Sequence, residues 1–150
     1  MMDYAMRAAA ARYEDRVTAR LAELGSDPAP VEVLLTLLTM LIPTDEAEGD
    51  DGQVGLAFQA YSANHPEAAD YLEQGNASLR KHLADLLRAA GHAGDATAAA
   101  TGLLALAEGL GVHVLSSRLP VSDAHAALDS LVTAVVNAPP AHDECAATEI

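Results

Sequence analysis

Six histidines, one cysteine and 22 carboxylates are the residues that could do chemistry in this 150-residue chain, so their spacing decides what chemistry is open to it. A zinc or di-iron centre needs ligands one helical turn apart converging from two or more elements. His65, His82, His92, His113, His125 and His142 are scattered instead, with neither a His-Glu-x-x-His nor a Glu-x-x-His pair. His82 with Asp85 and His92 with Asp95 have one-turn spacing, but two ligands make a weak site, and Asp95 is placed to cap a helix. The acidic run from Asp45 to Gly52 lacks the alternating ligands of a calcium loop. Nucleophilic catalysis finds no Gly-x-Ser-x-Gly, and Cys145 stands near the C-terminus without a fixed partner. There is no glycine-rich phosphate loop, and the sequon Asn76-Ala77-Ser78 falls within a helix. The expectation is no catalytic residue, no metal, no cofactor and no enzyme.

The composition points to a binding or regulatory body instead. Apolar residues make up 51% of the chain, charged residues 20% and aromatics 3%, with a formal net charge of −14. One compact domain fits this length and buries roughly 70% of its unfolded surface. The apolar fraction is too high for a disordered acidic tail, so the charge belongs outside a folded body. Nucleic-acid affinity comes mainly from Lys and Arg, and a charge of −14 argues against such contacts by these residues. The single cysteine excludes an internal disulfide, and MMDYAMRAAAARYEDR has no signal-like apolar run. No stretch is read as approaching the roughly 20 uncharged apolar residues of a membrane span, which places the chain in the cytoplasm, away from membranes.

Alanine is the commonest residue and β-branched runs are scarce, so helix is favoured nearly everywhere. A first helix is expected from about Asp3 to Leu24, with Met6, Tyr13, Val17, Leu21 and Leu24 on one stripe and Gly25 ending it. Ser26 or Asp27 then caps a second helix with Pro28 in its first turn; VEVLLTLLTMLIP is apolar on nearly every side and is expected to be buried all round. Thr44 to Gly52 reads as a solvated acidic loop ending in Asp51, the N-cap of a third helix carrying Val54, Ala57, Phe58 and Tyr61. Pro66 restarts the chain into a fourth helix to about Ala90, closed by Gly91. Asp95 caps a fifth with two apolar stripes: Ala99, Leu103, Leu106, Leu110 and Val114, and Ala100, Leu104, Ala107, Gly111 and Leu115. Gly102, Gly109 and Gly111 each cost about 1 kcal/mol inside a helix, which close approach by another backbone or a ligand would offset. Ser122 caps a sixth helix, with Ala124, Leu128, Leu131, Val132, Val135 and Val136 on its apolar side. Residues 138–150 are expected to form a disordered tail.

Two-sided apolar faces exceed what one small bundle needs, so the last two helices are expected to pair with a second copy as a four-helix bundle. The hairpin LLALAEGLGVHVLSSRLPVSDAHAALDSLV resembles the dimerisation hairpin of TetR/AcrR-type transcriptional regulators, with Glu108-Gly109-Leu110 at the acidic-Gly-Leu step and Leu119-Pro120-Val121-Ser122 at the loop. The Arg/Glu-rich first helix, the apolar second helix and the restart at His65-Pro66-Glu67 fit the same pattern over roughly residues 5 to 137. The resemblance implies an all-α, six-helix orthogonal bundle over residues 1–137, a homodimer and a small hydrophobic effector. It also implies a basic N-terminal helix-turn-helix domain, which this sequence lacks. DNA binding is therefore implied only for a longer parent.

Apolar walls with a few polar groups are what an effector cavity needs. The candidates are Thr36, Thr39, Met40, Phe58, Tyr61, Asn76, Leu79, Leu103, Leu106, Leu110 and His113, with Tyr61 and His113 foremost because a buried phenol or imidazole must find a partner. The dimer face is expected at Ala100, Leu104, Ala107, Glu108, Gly111, Leu115, Leu128, Leu131, Val132 and Val135. Glu108 is given a structural role, paired with an arginine such as Arg118 or facing solvent at the rim. The competing reading is an acidic helical interaction module for a basic protein partner, which would have a packed core and no pocket among Met40, Phe58, Tyr61 and His113.

Overall fold

A computed structural model describes residues 2–140 and contains six helices and no strand among them. They are α1 (Met2–Glu23), α2 (Pro30–Thr39), α3 (Glu46–Ser62), α4 (Pro66–Ala89), α5 (Ala96–Ser117) and α6 (Val121–Val136). The short α2 lies at the centre, touching α1, α4, α5 and α6, and α5 packs along α4. Leu34, Leu37, Leu38 and Ile42 from and just after α2 meet Leu83 and Leu87 of α4, Ala100, Leu103, Leu104 and Ala107 of α5, and Leu128 and Val132 of α6 in one core. Burial of α2 is one-sided rather than complete: Thr36, Thr39 and Met40 are half-buried and Val31 is exposed. Ala138–Pro140 are non-helical, and the remainder of the expected tail lies outside the described residues.

Local chemistry sets the boundaries, and three differ from expectation. Helix α2 starts at Pro30, not near Pro28, because a residue before proline is driven to extended backbone and Ala29 takes that role (φ −62°, ψ 143°). The Glu32 carboxylate accepts from the Ala29 N–H at 2.8 Å. The acidic run is helical from Glu46 onward: Asp45 accepts from the Glu48 N–H at 2.9 Å, and Glu48 accepts from the backbone and hydroxyl of Thr44. Four carboxylates therefore sit in the first turns of α3, where the helix dipole favours them. Asp51 is consequently inside α3 rather than its cap. At α6, Pro120 occupies the cap position that Ser122 was expected to hold.

Other signals act where they stand in the sequence. Asp95 accepts from the backbone N–H groups of Thr97 and Ala98, and Gly25 and Gly91 take left-handed conformations past α1 and α4. Helix α5 is long and apolar enough, by length and composition alone, to cross a membrane, as the core helix of a bundle also can be, so one segment does approach the character that the sequence reading found nowhere. Only 28% of its most apolar stretch is buried within the protomer. Its inner side meets the core, and at Gly111 it lies close against the end of α2: a Cβ there would stand 2.6 Å from the carbonyl oxygen of Leu41.

Candidate functional site

Three features of this bundle are open to a partner: two cavities that flank α1 and the outer side of α5 and α6. The first cavity, about 500 Å³, lies where the first turns of α1 meet the end of α3 and the start of α4. Asp3, Met6 and Arg7 line one side, Phe58, Tyr61, His65 and Tyr71 the other. Phe58 is buried and anchors an aromatic cluster, with Tyr71 edge-on at 5.9 Å and Tyr61 tilted at 6.2 Å. Tyr61 stacks on His65 at 3.6 Å, and the His65 Nδ1–H donates to the Tyr61 carbonyl at 2.7 Å, which closes the α3–α4 turn and fixes the imidazole. Three of the five aromatic residues of the chain are thus gathered in one wall. Tyr61 and Tyr71 are 36% and 39% exposed, so part of each ring is open to a ligand.

The second cavity, also about 500 Å³, runs between the latter half of α1, α2 and α6. Thr36, Thr39, Met40, Leu24, Leu35 and Ile42 supply most of its floor, with Arg16, Arg20, Glu23 and Glu48 around it. His125 of α6 also lines it, and its Nε2 is buried without a hydrogen-bond partner. Arg16 lies at a junction. Its Nη1 donates to Asp51 at 2.9 Å, and Arg12 grips the same carboxylate through Nε at 3.0 Å. The Arg12 hydrogen bond, seconded by Arg16, holds the Asp51 carboxyl below the usual carboxylate range. The sequence carries a signal for this link in the four-residue spacing of Arg12, Arg16 and Arg20 opposite the acidic run, a pairing that reading the run as a loop obscured.

The effector candidates are therefore divided. Thr36, Thr39 and Met40 meet in one cavity and Phe58 and Tyr61 in the other. Leu103 is core, and Asn76, Leu79, Leu106 and Leu110 are half-buried away from both. His113 is exposed with Nδ1 3.2 Å from the Ser117 hydroxyl, and neither it nor Tyr61 is the buried group that was expected. His65, Tyr71 and His125 line cavities without having been singled out for them.

The residues expected at a dimer face also need re-sorting. Ala100, Leu104, Ala107, Gly111, Leu128 and Val132 are buried inside the protomer, because that side of the hairpin faces α2 and α4. Leu115 packs over Gly52 of α3, Glu108 and Val135 are half-buried, and Leu131 is 45% exposed. Glu108 faces the charge of Arg80 rather than Arg118, which closes α5 in a left-handed conformation. Burial raises the Glu108 carboxyl above its ordinary value against the lowering by Arg80. On the outer side, Gly102, Ala105, Gly109, Val112 and Ser116 recur at three- and four-residue spacing, and nothing lies within 4 Å of where a Cβ at Gly102 or Gly109 would stand.

Comparison with known proteins decides the family. Residues 30–137 match the family of BetI-type transcriptional repressor C-terminal domains, a TetR-type family. The chain belongs to that family. The fold is similar to that of a transcriptional regulator from Rhodococcus sp. Rha1, at 28% identity and a TM-score of 0.71 over 83% of this chain and 67% of that one. A second structure from Rhodococcus sp., described as a TetR-family transcriptional regulator, superposes with a TM-score of 0.73 at 20% identity, over 90% of this chain and 71% of its own. No curated protein matches the sequence. Within this BetI-type domain, no group of three or more potential metal ligands gathers among the described residues.

Proposed function

We propose that this TetR-type domain senses a small hydrophobic effector and pairs with a second copy, so that occupancy sets the DNA-binding competence of a longer parent carrying a helix-turn-helix domain. The observation that carries the effector half is the aromatic cavity walled by α1, α3 and α4. Its volume is within the range of small-molecule sites, and Tyr61 and Tyr71 offer apolar surface over the buried Phe58, with only a few charges beside them. A ligand that fits one spacing of α1 against α3 and α4 better than another shifts the population between them by its differential affinity. The adaptor reading requires no cavity, and cavities at Met40 and at Phe58 and Tyr61 support the sensor instead. A cytoplasmic location accords with this role.

The dimer half rests on the outer side of the α5–α6 hairpin. Gly102, Ala105 and Gly109 let a second backbone approach closely, and Leu131 supplies an exposed apolar anchor. Sedimentation at micromolar protein should give a dimer that Ala105→Glu converts to a folded monomer. Thermal-shift screening of a hydrophobic library should find ligands whose effect Tyr61→Ala abolishes. A wild-type monomer would sink the pairing, and ligand shifts indifferent to Tyr61→Ala would sink the aromatic site.

A further inference from the structure

His65 supplies the decisive polar group of the aromatic cavity. Its Nδ1 is paired with the backbone carbonyl of Tyr61 at 2.7 Å, and a carbonyl can only accept, so Nδ1 carries the proton. In the neutral imidazole that leaves the lone pair on Nε2, and His65 is exposed on the cavity wall. Stacking on Tyr61, 10° from parallel, and the same hydrogen bond hold the ring in that setting. The other walls suit a flat π-system. Tyr61 and Tyr71 flank the buried Phe58 with part of each ring open, and α1 brings the thioether of Met6 and the guanidinium of Arg7, both of which favour an aromatic ring as neighbour. Charge in the lining is balanced. The Asp3 and Glu67 carboxylates are met by Arg7 and by the positive ends of α1 and α4, in whose first turns they stand, so the site calls for no net charge in a ligand.

We propose that the ligand of this cavity is a neutral aromatic alcohol, a phenol whose hydroxyl donates to His65 Nε2 and whose ring lies against Tyr61, Tyr71 and Met6. The assignment rests on the reading of this cavity as the effector site and names the class of effector. A phenol matches both halves of the wall, since its O–H meets the one exposed acceptor whose tautomer is fixed and its ring meets the aromatic and thioether groups. A methyl ether of the same shape keeps the ring and has no proton to give. A saturated cyclic alcohol keeps the O–H and loses the ring contacts. An aromatic carboxylate would face Asp3 and Glu67, and an aromatic ammonium would face Arg7 and two helix starts.

The test is calorimetric titration of the intact chain at about pH 8, where an ordinary imidazole is neutral and an ordinary phenol is protonated. The probes are a matched set: para-propylphenol, para-propylanisole, para-propylcyclohexanol, para-propylbenzoate and para-propylbenzylammonium. The phenol should bind about threefold to tenfold more tightly than the anisole, through one hydrogen bond, and by a similar factor more tightly than the cyclohexanol, through its ring contacts. Both ions should bind more weakly than the phenol. His65→Phe keeps a ring for Tyr61 to stack on and removes the acceptor, so it should erase the difference between phenol and anisole, whereas Tyr61→Ala should weaken every member of the set. Nitrogen NMR of the wild-type chain needs no variant to fold: the His65 Nε2 resonance should move toward the protonated range as the phenol binds and stay in place with the anisole. Equal affinity for phenol and anisole, a preference that survives His65→Phe, tighter binding of the cyclohexanol or of either ion, or a static Nε2 resonance at saturation would each overturn the phenol assignment. Binding that still depends on Tyr61 in those cases would leave the effector site standing. Failure of the whole set to bind also overturns the assignment, and the effector site falls with it when the wider hydrophobic library gives no shift that Tyr61→Ala abolishes.

Discussion

Replacing Gly111 by alanine isolates the contact on which the seating of α5 depends. Alanine is favoured over glycine inside a helix by about 1 kcal/mol, so propensity alone predicts a more stable protein. The geometry predicts the reverse. The new Cβ would stand 2.6 Å from the Leu41 carbonyl oxygen and 3.7 Å from Pro43 Cδ. The first distance is about 0.8 Å short of an ordinary contact, and its partner is backbone, which has no rotamer to give. Either α5 or the end of α2 must move, and overpacking of this kind costs about 1–3 kcal/mol. Because the main contact is backbone, the upper half of that range applies, and after the propensity gain the net loss is about 1–2 kcal/mol, or about 2–8 °C in Tm for a chain of this size. Gly75→Ala on α4, where nothing lies within 4 Å of the new Cβ, is the control and should gain about 1 kcal/mol. Urea unfolding followed by circular dichroism at one fixed protein concentration compares the two, because pairing would make stability concentration-dependent. Equal or greater stability of Gly111→Ala relative to Gly75→Ala would refute the close approach.

Two further perturbations probe the polar groups. The Asp51 carboxyl is held below its ordinary range chiefly by the Arg12 hydrogen bond, so its contribution is present above the unfolded carboxylate pKa and is lost as pH falls through the lower folded value. Asp51→Asn should therefore lower the urea midpoint at neutral pH and match wild type in acid; a deficit of the same size at both ends would contradict the ion-pair account. Burial pushes the Tyr13 hydroxyl up to about 12, and its oxygen has no partner. Stability from this group is fully present below the ordinary tyrosine value and is lost as pH rises toward 12, so one of the four tyrosines should ionise late in an absorbance titration. Tyr13→Phe should be neutral or stabilising by up to about 1 kcal/mol at pH 7, and a clear loss would mean that the hydroxyl is bonded.

The helices were legible because their signals are local. Asp95, Gly91 and Pro66 each act within one turn of where they stand, whatever packs around them. The start of α3 is local too, since Asp45 and Glu48 have the spacing of a capping pair, but a run of carboxylates resembles a solvated loop unless the dipole at a helix start and the arginines of α1 are both considered. The orientation of α5 was not legible. Periodicity showed its apolar stripes, and only the wrapping of α2 and α4 around it decides that Ala100, Leu104 and Ala107 face inward while Gly102, Ala105 and Gly109 face outward. The candidate sites were half-legible for the same reason, since Thr36 and Phe58 are locally conspicuous whereas the approach of His125 to α1 and α2 is a product of tertiary packing.

The placement of the two cavities bears on how such a domain would respond to ligands. Asp3, Met6 and Arg7 of α1 line the aromatic cavity, and Arg16, Ala19, Arg20, Glu23 and Leu24 of the same helix line the other. Between them α1 is only lightly anchored: Ala9 is its one buried apolar residue among those described, while Val17 and Leu21 pack on the edge of the core. Its strongest polar hold is on α3, through Arg12 and Arg16 to Asp51. Displacing such a helix exposes Ala9 and the half-buried Met6, Tyr13, Val17 and Leu21, whereas moving α2 or α5 exposes fully buried leucines shared by several neighbours. Both cavities border α1, so a ligand in the proposed effector site would bear directly on that helix. In the proposed parent, where α1 leads from the DNA-binding domain, that is the helix through which a small differential affinity would be felt furthest.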